Sequence, residues 1–396
     1  MKLKKTIATG AALLGLLLNS GIAFAAADAE ATVGDDGDSS SYTEDNDYLK
    51  IDVDNHGHVD NLDAGVGVSG ANFQDGNDDD GEILTGDADG HGTSDNFVNS
   101  TMGEISEEEE GSDAEASVGE DGFADAEAYD NDVLKVYIDN WAEVDNLTLG
   151  AAVSGLNFQY CNDDNNVIDT GDSDATASAL NELNSTWLAI SGGHTASATA
   201  TVGDDGDASA YAEDNDYFKV KIDNHADLDN ASIALAISGG NAQFGNDDDN
   251  EITTGSSTAS SSANNYLNTS VVMIGDLGGG ATATSDVGED TALAGGGCAE
   301  CGGQDGCHED KCLSSDAEAY DNDTVKVYVD NNADVDNTSA AIAVSGGNVQ
   351  SGNDDGGSID TGASSGTSCS NNTVNSTWIS IGDNTLPEGG SEPCSL

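Results

Sequence analysis

The sequence predicts an all-β protein built from four tandem repeats of about 84 residues, with a β-solenoid or β-helix-like stack favoured and a string of small β-sandwiches as the alternative. Three observations predict it. The first is self-similarity. Lys50, Lys135, Lys219 and Lys326 each sit in the frame x-K-x-x-x-D-N, and each is followed at one fixed distance by Asn77, Asn162, Asn246 or Asn353. The second is strict alternation. Leu134, Val136 and Ile138 face one way with Lys135 and Tyr137 opposite, and Ile233, Leu235 and Ile237 alternate with alanines. The third is punctuation: D-N, G-N and T-G turn signals bound these runs. Thr176 to Leu183 is the one stretch beyond the leader where a short helix would fit.

The elements follow in order. Residues 1–25 read as a secretory signal, with Lys2, Lys4 and Lys5 before the apolar run Ala11 to Leu18, and Ala23-Phe24-Ala25 as the cleavage pattern. The apolar run is too short for a membrane span. We therefore expect no transmembrane segment and a secreted or cell-surface protein. Repeat 1 occupies 26–113, repeat 2 114–195, repeat 3 196–280 and repeat 4 281–396. A Val-Gly-acid-acid marker recurs at Gly34, Gly119, Gly203 and Gly288, but the last lysine lies 107 residues after its predecessor, against 85 and 84 for the others. Repeat 4 thus carries an insertion, Cys-rich at about 295–313, and a C-terminal tail. The copies alternate: Tyr42 and Tyr211 mark the odd pair, Tyr129, Tyr320, Trp187 and Trp378 the even pair.

Two features favour stacking over beads. Large aliphatic residues are sparse for the inward faces of a sandwich. Asn recurs at fixed positions, where stacked amides can bond along a common axis.

Charge narrows the function. The chain of 396 residues carries 76 acids against nine basic residues, all lysine, for a net charge of −67. Phosphate binding needs a basic footprint, so nucleic acid is excluded as a partner, and anionic lipid with it. The acids fall at repeated places. One series is D-N-D, giving Asp45, Asp47, Asp130, Asp132, Asp214, Asp216, Asp321 and Asp323. Another is N-D-D, giving Asp78, Asp79, Asp163, Asp164, Asp247, Asp248, Asp354 and Asp355. Oxygen-only ligands at this density suit a hard cation, Ca²⁺ first. The competing reading is that Asp, Asn and Gly simply build turns. The spacing is not that of an EF-hand.

The four aligned lysines are expected to serve as structural ion-pair partners for nearby carboxylates. Cys298, Cys301, Cys307 and Cys312 read as two disulfides stapling the insertion, with Zn²⁺ as the alternative. Cys369 and Cys394 are a further candidate pair, and Cys161 stands alone. Asn99, Asn184, Asn268 and Asn375 begin N-x-[ST] sequons, so glycan is a candidate addition. Neither a G-x-S-x-G elbow, an H-E-x-x-H helix nor a P-loop occurs in the sequence.

The segment Ser345 to Ala363, S-G-G-N-V-Q-S-G-N-D-D-G-G-S-I-D-T-G-A, resembles the G-G-N…G-N-x-G-x-G-x-I-x-T-G-x-A repeats of secreted surface proteins from small-genome candidate-phylum bacteria. Asp here replaces the Thr and Asn of that pattern. The resemblance implies an exported, repetitive, β-rich surface protein. The expected role is non-enzymatic: a structural or adhesive element of the cell envelope (surface layer, filament or adhesin) stabilised by Ca²⁺. Its expected partners are further copies of itself or other surface components. An extracellular module binding carbohydrate or a partner protein, through Trp187 and Trp378, is the alternative. An envelope hydrolase is a third.

Overall fold

The computed structural model describes residues 15–22, 27–34, 37–107, 111–191, 195–203, 206–275, 280–287, 314–353 and 356–382. All regular structure among them is strand. β1 (Gly15–Ile22) precedes seven strands: β2 (Ala27–Val33), β3 (Gly37–Asp45), β4 (Tyr48–Gly70), β5 (Phe73–Asp75), β6 (Gly81–Thr85), β7 (Ala88–Val98) and β8 (Ser100–Glu107). The same seven recur three more times, giving four coils at 27–107, 112–191, 195–274 and 280–381.

Among the described residues the strands of each coil pair only with their counterparts in neighbouring coils, always parallel and without a register shift, apart from the pairing of β8 with β1. Lys50 lies opposite Lys135, Lys135 opposite Lys219, and Lys219 opposite Lys326. The fold is thus all-β and solenoid-like, and the beads alternative falls because none of the pairings closes a sheet within one coil. Thr176 to Leu183 lies inside the strand Ser173–Leu183, where Ala175, Ala177 and Ala179 all face inward. Period-2 burial overrides its helix propensity.

Each coil is a flattened loop of two layers. β3, β4 and β5 run along one layer. The chain then turns and returns as β6, β7 and β8, continuing into the β2 strand of the next coil. Across the gap β4 packs on β7 and β2 on β3. β4 has 23 residues, which at ~3.3 Å per residue spans roughly 75 Å. Four coils at ~4.8 Å apart make the stack only about 19 Å deep.

The gap between layers varies with the side chains that fill it. Where β4 begins it faces β8, and the filling is large: Leu134, Val136, Ile138, Leu188, Ile190 and Phe218. Past a middle stretch filled by Val144, Leu183, Leu228 and Leu267, the far part of β4 and its counterparts is filled mostly by alanine or glycine, and the gap between β2 and β3 mostly by alanine. A Cβ on Gly65 would meet the backbone carbonyl of His91 in the opposite layer. Large aliphatics therefore cannot turn inward there. They point out instead, and Val66, Val68, Ile342 and Val344 are exposed.

Inward polar residues are tied along the axis. Asn55, Asn140, Asn224 and Asn331 form one amide ladder, each Nδ2 donating to the next Oδ1 at 2.7–2.8 Å. Parallel ladders join Asn96 to Asn372 and Asn72 to Asn348. Gln74 to Gln350 form another. Each meets the rule that a buried polar group keeps a partner. The sequon residues Asn99, Asn184, Asn268 and Asn375 hold left-handed φ of 54–56° at the tight corner between β7 and β8 and its three counterparts. Their amides ladder at 2.9–3.0 Å, and the first three are fully buried. Their recurrence is thus a fold requirement, and the folded state conceals Asn99, Asn184 and Asn268 from glycosylation, while Asn375 in the last coil is exposed.

Candidate metal centre

The D-N-D series forms the corner between β3 and β4 and its three counterparts. The two acids of each corner continue the inward phase of the flanking strands. In coil 3 the inward positions read Ala210, Ala212, Asp214, Asp216, Phe218 and Val220. The intervening Asn215 points outward, donating to Asn131 Oδ1 at 2.9 Å while accepting from Asn322 at 3.1 Å. The corner's backbone is locked to both neighbours: Asn215 N–H to Asp130 O at 2.9 Å, Tyr217 N–H to Asp132 O at 2.8 Å, and Thr324 N–H to Asp216 O at 2.7 Å. This stacking buries the corner carboxyl groups of coils 2 and 3 inside the slab, while Asp321 and Asp323 at the coil 4 edge are exposed.

Asp214, Asp216 and Asp323 converge, each offering a carboxylate oxygen within 4.8 Å of the others. Asp216 is 1% exposed, and neither of its carboxyl oxygens has a hydrogen-bond partner. Asp214 is fully buried; its Oδ2 accepts from Gly280 N–H at 2.8 Å across the gap, and its Oδ1 has no partner. Asp323 Oδ1 accepts from the Asp216 N–H at 3.3 Å. Asp130 and Asp132 are buried in the same column one coil away. Burial, and then the neighbouring carboxylates, push Asp216 up to about 8. Burial and Asp323 push Asp214 up to about 6, opposed by the Gly280 N–H. Asp323 is raised as well, again first by burial. Buried carboxylates without counter-charge are costly, and a hard divalent cation that takes oxygen ligands relieves that cost.

The N-D-D series is arranged differently. Its Asn residues ladder, with Asn77 N–H to Asn162 Oδ1 at 3.0 Å, Asn162 N–H to Asn246 Oδ1 at 3.0 Å and Asn246 N–H to Asn353 Oδ1 at 3.2 Å. Asp78, Asp79, Asp163, Asp164, Asp247 and Asp248 are exposed in the turn, Asp164 and Asp248 with positive φ. Among the described residues the structure gathers no metal cluster there. Asp354 and Asp355 lie outside those residues.

The aligned lysines form an outward column that interleaves with aromatic rings. Lys50 bonds Asp52 Oδ2 at 2.7 Å. Lys135 lies 4.8 Å from the Tyr48 ring centre, Lys219 5.1 Å from that of Tyr137, and Lys326 4.8 Å from that of Tyr217. Ring faces thus share the role expected of carboxylates. Trp187 and Trp378 occupy one register column with Met102 and Val271, separated by a coil. Cys161 is free and exposed. Cys369 is disulfide-bonded, and Cys298, Cys301, Cys307, Cys312 and Cys394 lie outside the described residues. No family model, curated protein or solved structure matches the chain.

Proposed function

We propose that the protein is a secreted, non-enzymatic structural or adhesive element of the cell envelope, stiffened by Ca²⁺ held inside its wall. The observation that carries this reading is Asp216. A buried carboxyl with two unpartnered oxygens, joined by Asp214 of its own coil and Asp323 of the next, supports a cation that ties coil 3 to coil 4. The resemblance to exported surface repeats and the leader-like residues 1–25 support the envelope location. The test is thermal unfolding at low ionic strength with Ca²⁺ and with chelator. The midpoint rises with Ca²⁺ on this reading. An unmoved midpoint removes the calcium, and a rise only in molar monovalent salt points to adaptation to brine.

A second reading, a module binding a partner protein or glycan, draws on the outward aliphatic face of β4 and its counterparts. Exposed Leu62, Val66, Val68, Ile342 and Val344 lie there on an otherwise acidic protein, and contiguous apolar patches mark contact sites. Ligand loss on changing Val66 and Val68 to Ser, with the fold intact, would favour it.

A further inference from the structure

We propose that coil 4 of one copy stacks on coil 1 of a second copy, head to tail, so that the solenoid continues from molecule to molecule as a filament. This rests on the structural reading above and names its partner. Among the described residues, the coil 4 strands pair on one side only, with coil 3. At coil 1, β2 to β7 likewise pair on one side only. Unpaired parallel edges of this length are templates for further strands. Interfaces of the kind proposed already exist three times within the chain.

The amide ladders give the stacking a direction. In the inward Asn ladders each coil donates to the next, so coil 4 ends on Nδ2 groups and coil 1 begins on Oδ1 acceptors, whereas the outward corner ladder of Asn131, Asn215 and Asn322 runs the other way. The Gln ladder also runs the other way, with Gln350 donating to Gln243 and Gln159 to Gln74. A head-to-tail junction continues both kinds. A head-to-head junction would set acceptor against acceptor in one kind and donor against donor in the other. One acceptor is already waiting: Asn99 Oδ1 is buried and has no hydrogen-bond partner. Within the chain the equivalent oxygens of Asn184, Asn268 and Asn375 each accept from the preceding coil. Asn375 of a second copy, placed one coil before Asn99, would supply that missing donor.

Two further features fit. β1 pairs with β8, in the slot that the last strand of a second copy (Thr377–Ile381) would take, and it lies within the stretch read as an export signal. Loss of residues 1–25 would open the seventh edge while leaving all four coils complete. The junction would also bring Asp45 and Asp47 against Asp321 and Asp323, extending the acidic column, so assembly requires a divalent cation.

The test uses the chain from Ala26 onward in a Cys161→Gly background, glycine being the residue of the other coils there. His225 and Asn332 are register partners, and His56 is the coil 1 counterpart of His225. His56→Cys with Asn332→Cys therefore places two thiols across the proposed junction at the separation a disulfide accepts. We expect filaments in Ca²⁺ by electron microscopy, and a ladder of covalent multimers from the double variant after mild oxidation, with neither single variant rising above background. A protein that stays monomeric in Ca²⁺ by sedimentation overturns the proposal, as do covalent dimers of His56→Cys alone, which would mean head-to-head packing. If the unfolding midpoint still rises with Ca²⁺ in a monomer, the stacking falls and the calcium-stiffened wall stands.

Discussion

The backbone N–H of Asp216 donates to the Oδ1 of Asp323, one coil further on, at 3.3 Å, while the Asp216 carboxyl itself finds no hydrogen-bond donor. One coil's corner thus holds the next coil's carboxylate in place beside an unsatisfied one. The acidic column is aligned by the backbone and destabilised by its own charge.

That arrangement sets the pH dependence. Asp216 is raised from an ordinary 3.8 to about 8, and Asp214 to about 6. Between the ordinary and raised values the folded state holds protons that the unfolded state has released, so rising pH favours unfolding. In chelator the unfolding midpoint is expected to be highest near pH 4 and to fall steadily towards pH 8. Saturating Ca²⁺ should flatten the fall. Scanning calorimetry across this range, with and without chelator, measures both slopes.

Asp216→Asn separates this column from the general negative charge. The amide cannot ionise, so the variant is expected to melt higher than the parent in chelator at pH 7.5, by several degrees, with a shallower pH slope. It should also gain less from Ca²⁺. A loss of stability in chelator would contradict the electrostatic account.

The amide ladders make a separate prediction. Asn181 is buried, accepting from Asn96 at 2.7 Å and donating to Asn265 at 2.8 Å. Asn181→Ala leaves a buried donor and a buried acceptor unpaired, each costing about 1–3 kcal/mol. Denaturant unfolding should show a loss of about 2–4 kcal/mol, with Ca²⁺ dependence unchanged.

The thin part of the slab predicts an inversion of the usual core rule. Leu235 points outward and Ala236 inward. Ala236→Leu must force the layers apart and should cost about 1–3 kcal/mol or more. Leu235→Ser should be nearly neutral to the fold and raise solubility. Paired denaturation curves of the two variants measure the contrast.

Much of the fold was legible in the sequence because the same spacing that aligns the lysines is the strand register itself. What was not legible was which member of an alternating pair faced inward. Ile233, Leu235 and Ile237 are the larger residues and lie outside, since the layer gap is set by the alanines and glycines opposite. The candidate site was half legible. Both acid series recur, but only D-N-D keeps the inward phase of its strands, as the run from Ala212 through Asp214 and Asp216 to Phe218 shows. An acid on an apolar phase was the available signal. The N-D-D acids sit in a turn, where the Asn forms the ladder and the carboxylates face water. The lysine partners were missed in kind: Tyr48 and Tyr217 lie two residues before the lysine column and Tyr137 and Tyr328 two residues after it, on the same outward face.

The most direct measurement is a crystal structure with Ca²⁺, using anomalous scattering to locate the ions. A peak bound by Asp214, Asp216 and Asp323 oxygens, at the roughly 2.3–2.6 Å typical of Ca²⁺, is the predicted result. A structure with ions only in the exposed turns, such as Asp247 and Asp248, or with none at the corner under saturating Ca²⁺, would contradict the account.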